Sequence, residues 1–244
     1  MNIVGVIPAR YQSSRLPGKP IADICGKPMI WWVYQQAMKV PGFSKVVVAI
    51  DDERVAKSCE SNGIPYIMTK NNHPTHINRV HEISDKIHAD YYVCICGDEP
   101  LIDPDTISCV FPEDISYEFF VQALMREITE PTEAVDTGNI KIATNNRNEC
   151  IMLSRNPIPF PYKSIMFRYK KIIGVECYNK KALDFFVSRE KGTLEKIEDI
   201  TLLRFLENHI VMNYKMVDTF SLSVDNQKDL DKVRAIMEDR ISKG

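Results

Sequence analysis

The chain opens on an unbroken apolar, β-branched run, Ile3 to Ile7, that stops at Pro8 and Arg10. A short apolar run bounded by turn residues reads as a buried parallel strand, because a strand covered on both faces has no polar side to alternate with. The same pattern recurs at 45–50 and 91–96, with a shorter strand at Tyr66–Met68. Between these lie helical periods. Met29–Met38 reads as a helix, with Pro28 pre-set for its first turn. Residues 52–62 read as a second helix stopped by Gly63, and 80–88 as a third. This β-α-β-α-β rhythm predicts an α/β fold with a doubly wound, mostly parallel sheet.

The second half is less regular. Strands are expected at 120–125, 139–144, Cys150–Ser154 and 171–178, and helices at Lys180–Ser188, 197–207 and 227–239. The prolines of 156–161 exclude a helix there. No repeat, low-complexity tract or linker divides the chain, so residues 1–244 read as a single domain, with a small α+β lobe over roughly 112–215.

In a doubly wound sheet, ligands sit beyond the carboxyl ends of the strands. Three polar clusters fall there: 10–20, Asp51-Asp52 and Gly97-Asp98-Glu99-Pro100. The first joins two arginines, a lysine, two serines and a glycine. Fixed positive charges, hydroxyls and free backbone N–H groups are what a polyphosphate needs. The segment is neither a P-loop nor a dinucleotide fingerprint, since both glycine patterns are absent. Asp98, leaving an apolar strand behind a glycine, suits a hard divalent ion that shares phosphate oxygens.

The net charge of −2 provides no broad basic surface for a nucleic acid. Arg10 and Gln12 interrupt the first apolar run too early for a signal peptide, and no run reaches spanning length. Seven scattered cysteines without a Cys-x-x-Cys pair suit a reducing compartment. A cytoplasmic chain without membrane or nucleic-acid partners is expected. Trp31 and Trp32 read as packing residues. His73, His76, His81 and His88 match no standard metal-ligand spacing and read as surface or loop residues.

The run Ile-Pro-Ala-Arg-x-x-Ser-x-Arg-Leu-Pro-Gly-Lys-Pro at 7–20 closely resembles the opening of the cytidylyltransferases that activate 3-deoxy-manno-octulosonate (Kdo). The resemblance runs over nearly the whole chain and is strongest at 4–30 and 94–104. It implies a Rossmann-like nucleotide-diphospho-sugar transferase fold and magnesium-dependent transfer of CMP from CTP to an acidic acceptor, in a homodimer whose small lobe covers the acceptor. It implies nucleotide binding by Pro8, Ala9, Arg10, Ser13, Ser14, Arg15, Lys19, Thr75 and Arg79. Lys19, Arg10 and Asp98 would be catalytic, and Asp98 and Asp225 would hold Mg²⁺. Cys96, Arg155, Ile172, Glu176, Tyr178, Glu195 and Glu198 would lie on the acceptor side.

Three departures stand out. The family reads His-x-Ser-Gly-Thr-Glu-Arg where this chain has His73-Pro74-Thr75-His76-Ile77-Asn78-Arg79. Its glutamine before Gly-Asp-Glu-Pro is Cys96. In its His-Leu-Gly-Ile-Tyr-Gly-Tyr motif, the histidine is Ile172 and the first tyrosine is Glu176. A site that hydrogen-bonds a polyhydroxy acid loses partners by such changes. The resemblance thus implies an intact triphosphate half and an altered acceptor half, suited to Kdo, a related ulosonic acid or another small acid such as a phosphonate. A transferase for another base, and an inactive homologue that only binds nucleotide, share these residues. Retention of Arg10, Arg15, Lys19, Asp98 and Asp225 weighs against the inactive form.

Overall fold

Side-chain alternation along the strands sorts the core onto two faces of one sheet. In β1 (Ile3–Ala9), Ile3, Ile7 and Ala9 point to one face and Val4 and Val6 to the other. The first face is covered by α1 (Met29–Met38), α2 (Glu53–Ser61) and α4 (Pro104–Ser108), the second by α3 (His76–Lys86) and α6 (Lys180–Ser188). The result is a three-layer α/β/α unit, described here by a computed structural model for residues 1–13, 15–113, 117–163 and 167–243.

The other strands of the first half are β2 (Asp23–Ile24), β3 (Lys27–Pro28), β4 (Phe43–Ile50), β5 (Tyr66–Met68) and β6 (Tyr91–Ile95). The second half adds β7 (Val121–Glu127), α5 (Pro131–Val135), β8 (Lys141–Thr144), β9 (Cys150–Ser154) and β10 (Lys170–Asn179). It continues through α7 (Thr193–Glu198), α8 (Leu203–Glu207), β11 (Asn213–Met216) and α9 (Gln227–Lys243). The sheet order is β11-β7-β10-β6-β1-β4-β5, with β8 and β9 paired beyond β10. β1, β4, β5 and β6 are parallel, and β10 runs antiparallel between β6 and β7. From β1 the chain winds outward through β4 to β5, then returns to place β6 on the other side of β1. That reversal opens a crevice beyond the ends of β1 and β6.

Several boundaries differ from the sequence reading. Helix α3 begins at His76 rather than at 80, because Thr75 caps it by accepting Asn78 N–H at 3.3 Å. The helix expected over 197–207 is two helices. Asp199 breaks it at φ 50°, and the Arg155 guanidinium takes the carbonyls of Glu198 and Asp199. Pro28 is the extended N-cap of α1 instead of a first-turn residue. The β2–β3 hairpin, α4, α5 and β11 are short and carry no clear period. Of residues 112–215, read as a small lobe, β7, β10 and β11 continue the main sheet, while β8 and β9 overhang its rim. Trp31 and Trp32 meet edge to face at 4.8 Å, and Trp32 Nε1 donates to the Ile24 carbonyl at 2.8 Å, within packing. No helix among the described residues is long and apolar enough to cross a membrane.

Candidate active site

The loop after β1 is folded back on itself. Gly18 sits at φ 71°, and its N–H donates to the Tyr11 carbonyl at 3.0 Å. Only a residue without a Cβ takes that conformation at no steric cost. Tyr11 N–H donates to Asp51 Oδ1 at 3.0 Å, and Arg79 Nη2 donates to Asp51 Oδ2 at 2.8 Å. Arg79 also donates to Thr69 Oγ1. Burial lowers the Arg79 pKa while Asp51 opposes that shift. Arg79 and Asp51 thus fix the loop to the end of β4. The end of β1 lies close to the turn after β6 as well, since a Cβ on Gly97 would stand 2.8 Å from the Pro8 carbonyl oxygen.

This packing brings distant charges into one cleft of about 350 Å³. Lys19 Nζ lies 2.6 Å from Asp98 Oδ2 and 3.7 Å from Asp225 Oδ1, and Arg15 Nη2 lies 2.9 Å from Asp225 Oδ1. Asp225 arrives there because Val224 N–H donates to the Asp98 carbonyl at 2.8 Å, while Leu230, Val233 and Met237 pack α9 beside the β2–β3 hairpin. The two carboxylates already share one ammonium. A hard cation with phosphate oxygens and water fits that donor set. Beside them, burial and then Asp98 push the Glu99 carboxyl up to about 7, and it accepts the Ser221 hydroxyl.

Pro8, Ala9, Arg10, Ser13, Arg15, Lys19, Thr75, Arg79, Cys96, Asp98 and Asp225 all line this cleft. Ser14 lies outside the described residues. The sequence reading left His73, His76, Asp199 and Thr201 out of the site, yet they line it too. His73 Nε2 lies 2.5 Å from Glu82 Oε2. His76 Nε2 lies 2.9 Å from Glu176 Oε2, which also accepts the Tyr178 hydroxyl at 2.6 Å. Register explains this meeting: Glu176 pairs with Cys94 across β10 and β6, so both face α3, where His76 opens the first turn. Burial alone would lower the His76 pKa, but Glu176 overrides it and holds the imidazole at about 9. Its hydrogen bond with Cys94, then burial, keeps the Cys96 thiol protonated.

The other residues of the acceptor set stand behind the cleft wall. Arg155 spends Nε, Nη1 and Nη2 on the carbonyls of Glu198, Thr137 and Asp199. Glu198 accepts from Ser154 Oγ at 2.7 Å and Arg155 N–H at 2.9 Å. Together they shape the turn that presents Asp199. Glu195 is buried against Arg204, both oxygens at 2.7 Å. Ile172 packs into the core on the α3 face. A signal for His76 was available in the sequence, since glycine-to-histidine and tyrosine-to-glutamate departures make a complementary pair.

Comparison with known proteins identifies the family. A family model described as Cytidylyltransferase matches residues 4–216. The 3-deoxy-manno-octulosonate cytidylyltransferase of Escherichia coli is 35% identical over 237 residues, spanning 97% of this chain and 96% of that protein. That of Solibacter usitatus (strain Ellin6076) is 35% identical, spanning 100% and 97%. A solved CMP:2-keto-3-deoxy-manno-octonic acid synthetase complexed with CTP matches with a TM-score of 0.92 at 36% identity, covering 98% of this chain and all of that one. The inositol-1-phosphate CTP transferase from T. maritima, at a TM-score of 0.70 and 17% identity, shares the fold alone. The chain belongs to the cytidylyltransferase family, among the 3-deoxy-manno-octulosonate cytidylyltransferases.

Proposed function

We propose that the chain transfers CMP from CTP to 3-deoxy-manno-octulosonate or a related ulosonic acid and releases pyrophosphate. The observation that carries this reading is the meeting of Lys19, Arg15, Asp98 and Asp225 in one cleft at the sheet's switch point. Arg10, Arg15, Lys19 and the loop hydroxyl of Ser13 hold the triphosphate. The acceptor hydroxyl attacks the α-phosphorus in line, the bond to the bridging oxygen breaks, and pyrophosphate leaves with the electron pair. The hydroxyl proton is released. Lys19 stabilises the charge that builds on the phosphoryl and leaving-group oxygens. Asp98 and Asp225 are the residues that would hold Mg²⁺, which when bound supplies Lewis-acid stabilisation of phosphate oxygens. The protonated Cys96 thiol takes no nucleophilic part.

Pyrophosphate release with CTP, UTP or ATP, across Kdo, other ulosonic acids and a small phosphonate, tests the reading. CTP-dependent release with an ulosonic acid is expected. No release from CTP with any of these acids would overturn it. A cytoplasmic homodimer is proposed on family resemblance, and light scattering after size exclusion checks the dimer.

A further inference from the structure

The cleft's cations divide between its two sides. Arg10, Arg15 and Lys19 stand beyond β1, where a nucleoside triphosphate needs them. An ulosonic acid brings a carboxylate of its own to the same α-phosphorus, into a cleft already lined by Asp98, Asp199 and Asp225. That carboxylate needs a counter-charge on the β6–β10 side. Arg79 is consumed by Asp51 and Thr69, and the His73 side chain, paired with Glu82, is only 13% exposed. Arg155 is consumed by three carbonyls. His76 is bonded to protein only through Nε2 among the described residues, which leaves Nδ1 to donate, and it is the more exposed of the two lining histidines. Its side chain is 31% exposed while Glu176 behind it is 5% exposed. The wall therefore presents the imidazole to the cleft and hides the carboxylate.

Resting on the cytidylyl-transfer reading above, we infer that His76 anchors the carboxylate of the acceptor, with Glu176 and Tyr178 as positioning residues behind it. The groups facing the imidazole are Glu176 from β10, Cys94 from β6 and Asp98 beyond β6, all of which favour its charged form. Positions 76, 96 and 176 lie far apart in sequence, and all three depart from the family pattern. In the fold, Glu176 bonds His76, and Cys94, two residues from Cys96, lies beside them. The departures thus form one rebuilt acceptor wall.

Kinetics with CTP and Kdo as probes test the inference. In His76→Gln, the acceptor KM should rise tenfold or more while the CTP KM stays within twofold. Wild type should prefer Kdo over its methyl ester, and His76→Gln should lose at least tenfold of that preference. His76→Lys should restore most of it, and Glu176→Gln should weaken it in the same sense but less. CTP binding by calorimetry confirms that each variant is folded. An undiminished acid-over-ester preference in His76→Gln, or equal rises in both KM values, overturns the inference. So does stoichiometric zinc in the wild type that His76→Gln releases, since Cys94, His76 and Glu176 ligand atoms lie within 4.8 Å of one another. A wild type inactive with every acid would instead sink the cytidylyl-transfer reading.

Discussion

Beyond β1 and β6, cations and carboxylates reach into the cleft and pair with one another: Lys19 touches Asp98 and Asp225, and Arg15 touches Asp225. Beyond β10, the charged groups are turned inward. Arg204 and Glu195 are sealed in the core, Arg155 is wrapped in backbone carbonyls, and Glu198 holds Ser154. The first region keeps solvent-reachable charges paired only with one another, which can exchange partners. The second uses charge to fix a wall, from which His76 faces the cleft. One half of the cleft therefore gathers exchangeable ion pairs, and in the other most charges serve as scaffold.

The sharpest break of this contrast lies in the scaffold. Glu195→Ala strands the Arg204 guanidinium in the core and should cost about 3–5 kcal/mol, read by denaturant unfolding. Loss of transfer with stability unchanged would mean that Glu195 serves ligand rather than fold. Lys19→Ala should behave in the opposite way. Its turnover should fall about 10²–10³-fold, roughly 2.7–4 kcal/mol, while its unfolding midpoint holds. Gly97→Ala forces β6 away from the Pro8 carbonyl, at roughly 1–3 kcal/mol of overpacking, and should impair both stability and CTP binding. The smallest effect is a pH dependence. The folded His76 pKa of about 9 exceeds the ordinary 6.5, so its pairing with Glu176 stabilises fully below pH 6.5 and fades as pH rises through 9. Thermal midpoints of wild type should fall over that window more steeply than those of His76→Gln, and parallel curves would refute the ion pair.

How much of this was legible in the sequence followed the range of each interaction. β1, α1, β4, α2, β5 and β6 were readable because burial on two faces leaves continuous apolar runs and caps leave local marks. Asp52 caps α2 and Gly63 ends it at φ 65°. The charged loop after β1 was readable for the same reason, with its charges packed into residues 10–19. The break at Asp199 was not, because the group that takes the helix carbonyls, Arg155, lies more than forty positions away. His76 looked like one of four loop histidines until β10 brought Glu176 beside it.

The sequence by itself determined the strand-helix order, the charged loop after β1 and the acids Asp98 and Asp225 as separate pieces of chemistry. The tertiary structure decided that Asp225 stands within reach of Lys19, that Arg155 and Glu195 are spent on the fold, and that His76 faces the cleft. The reason is range: periodicity and capping act over a few residues, whereas a charge's role depends on which partner the sheet register and crossovers place beside it.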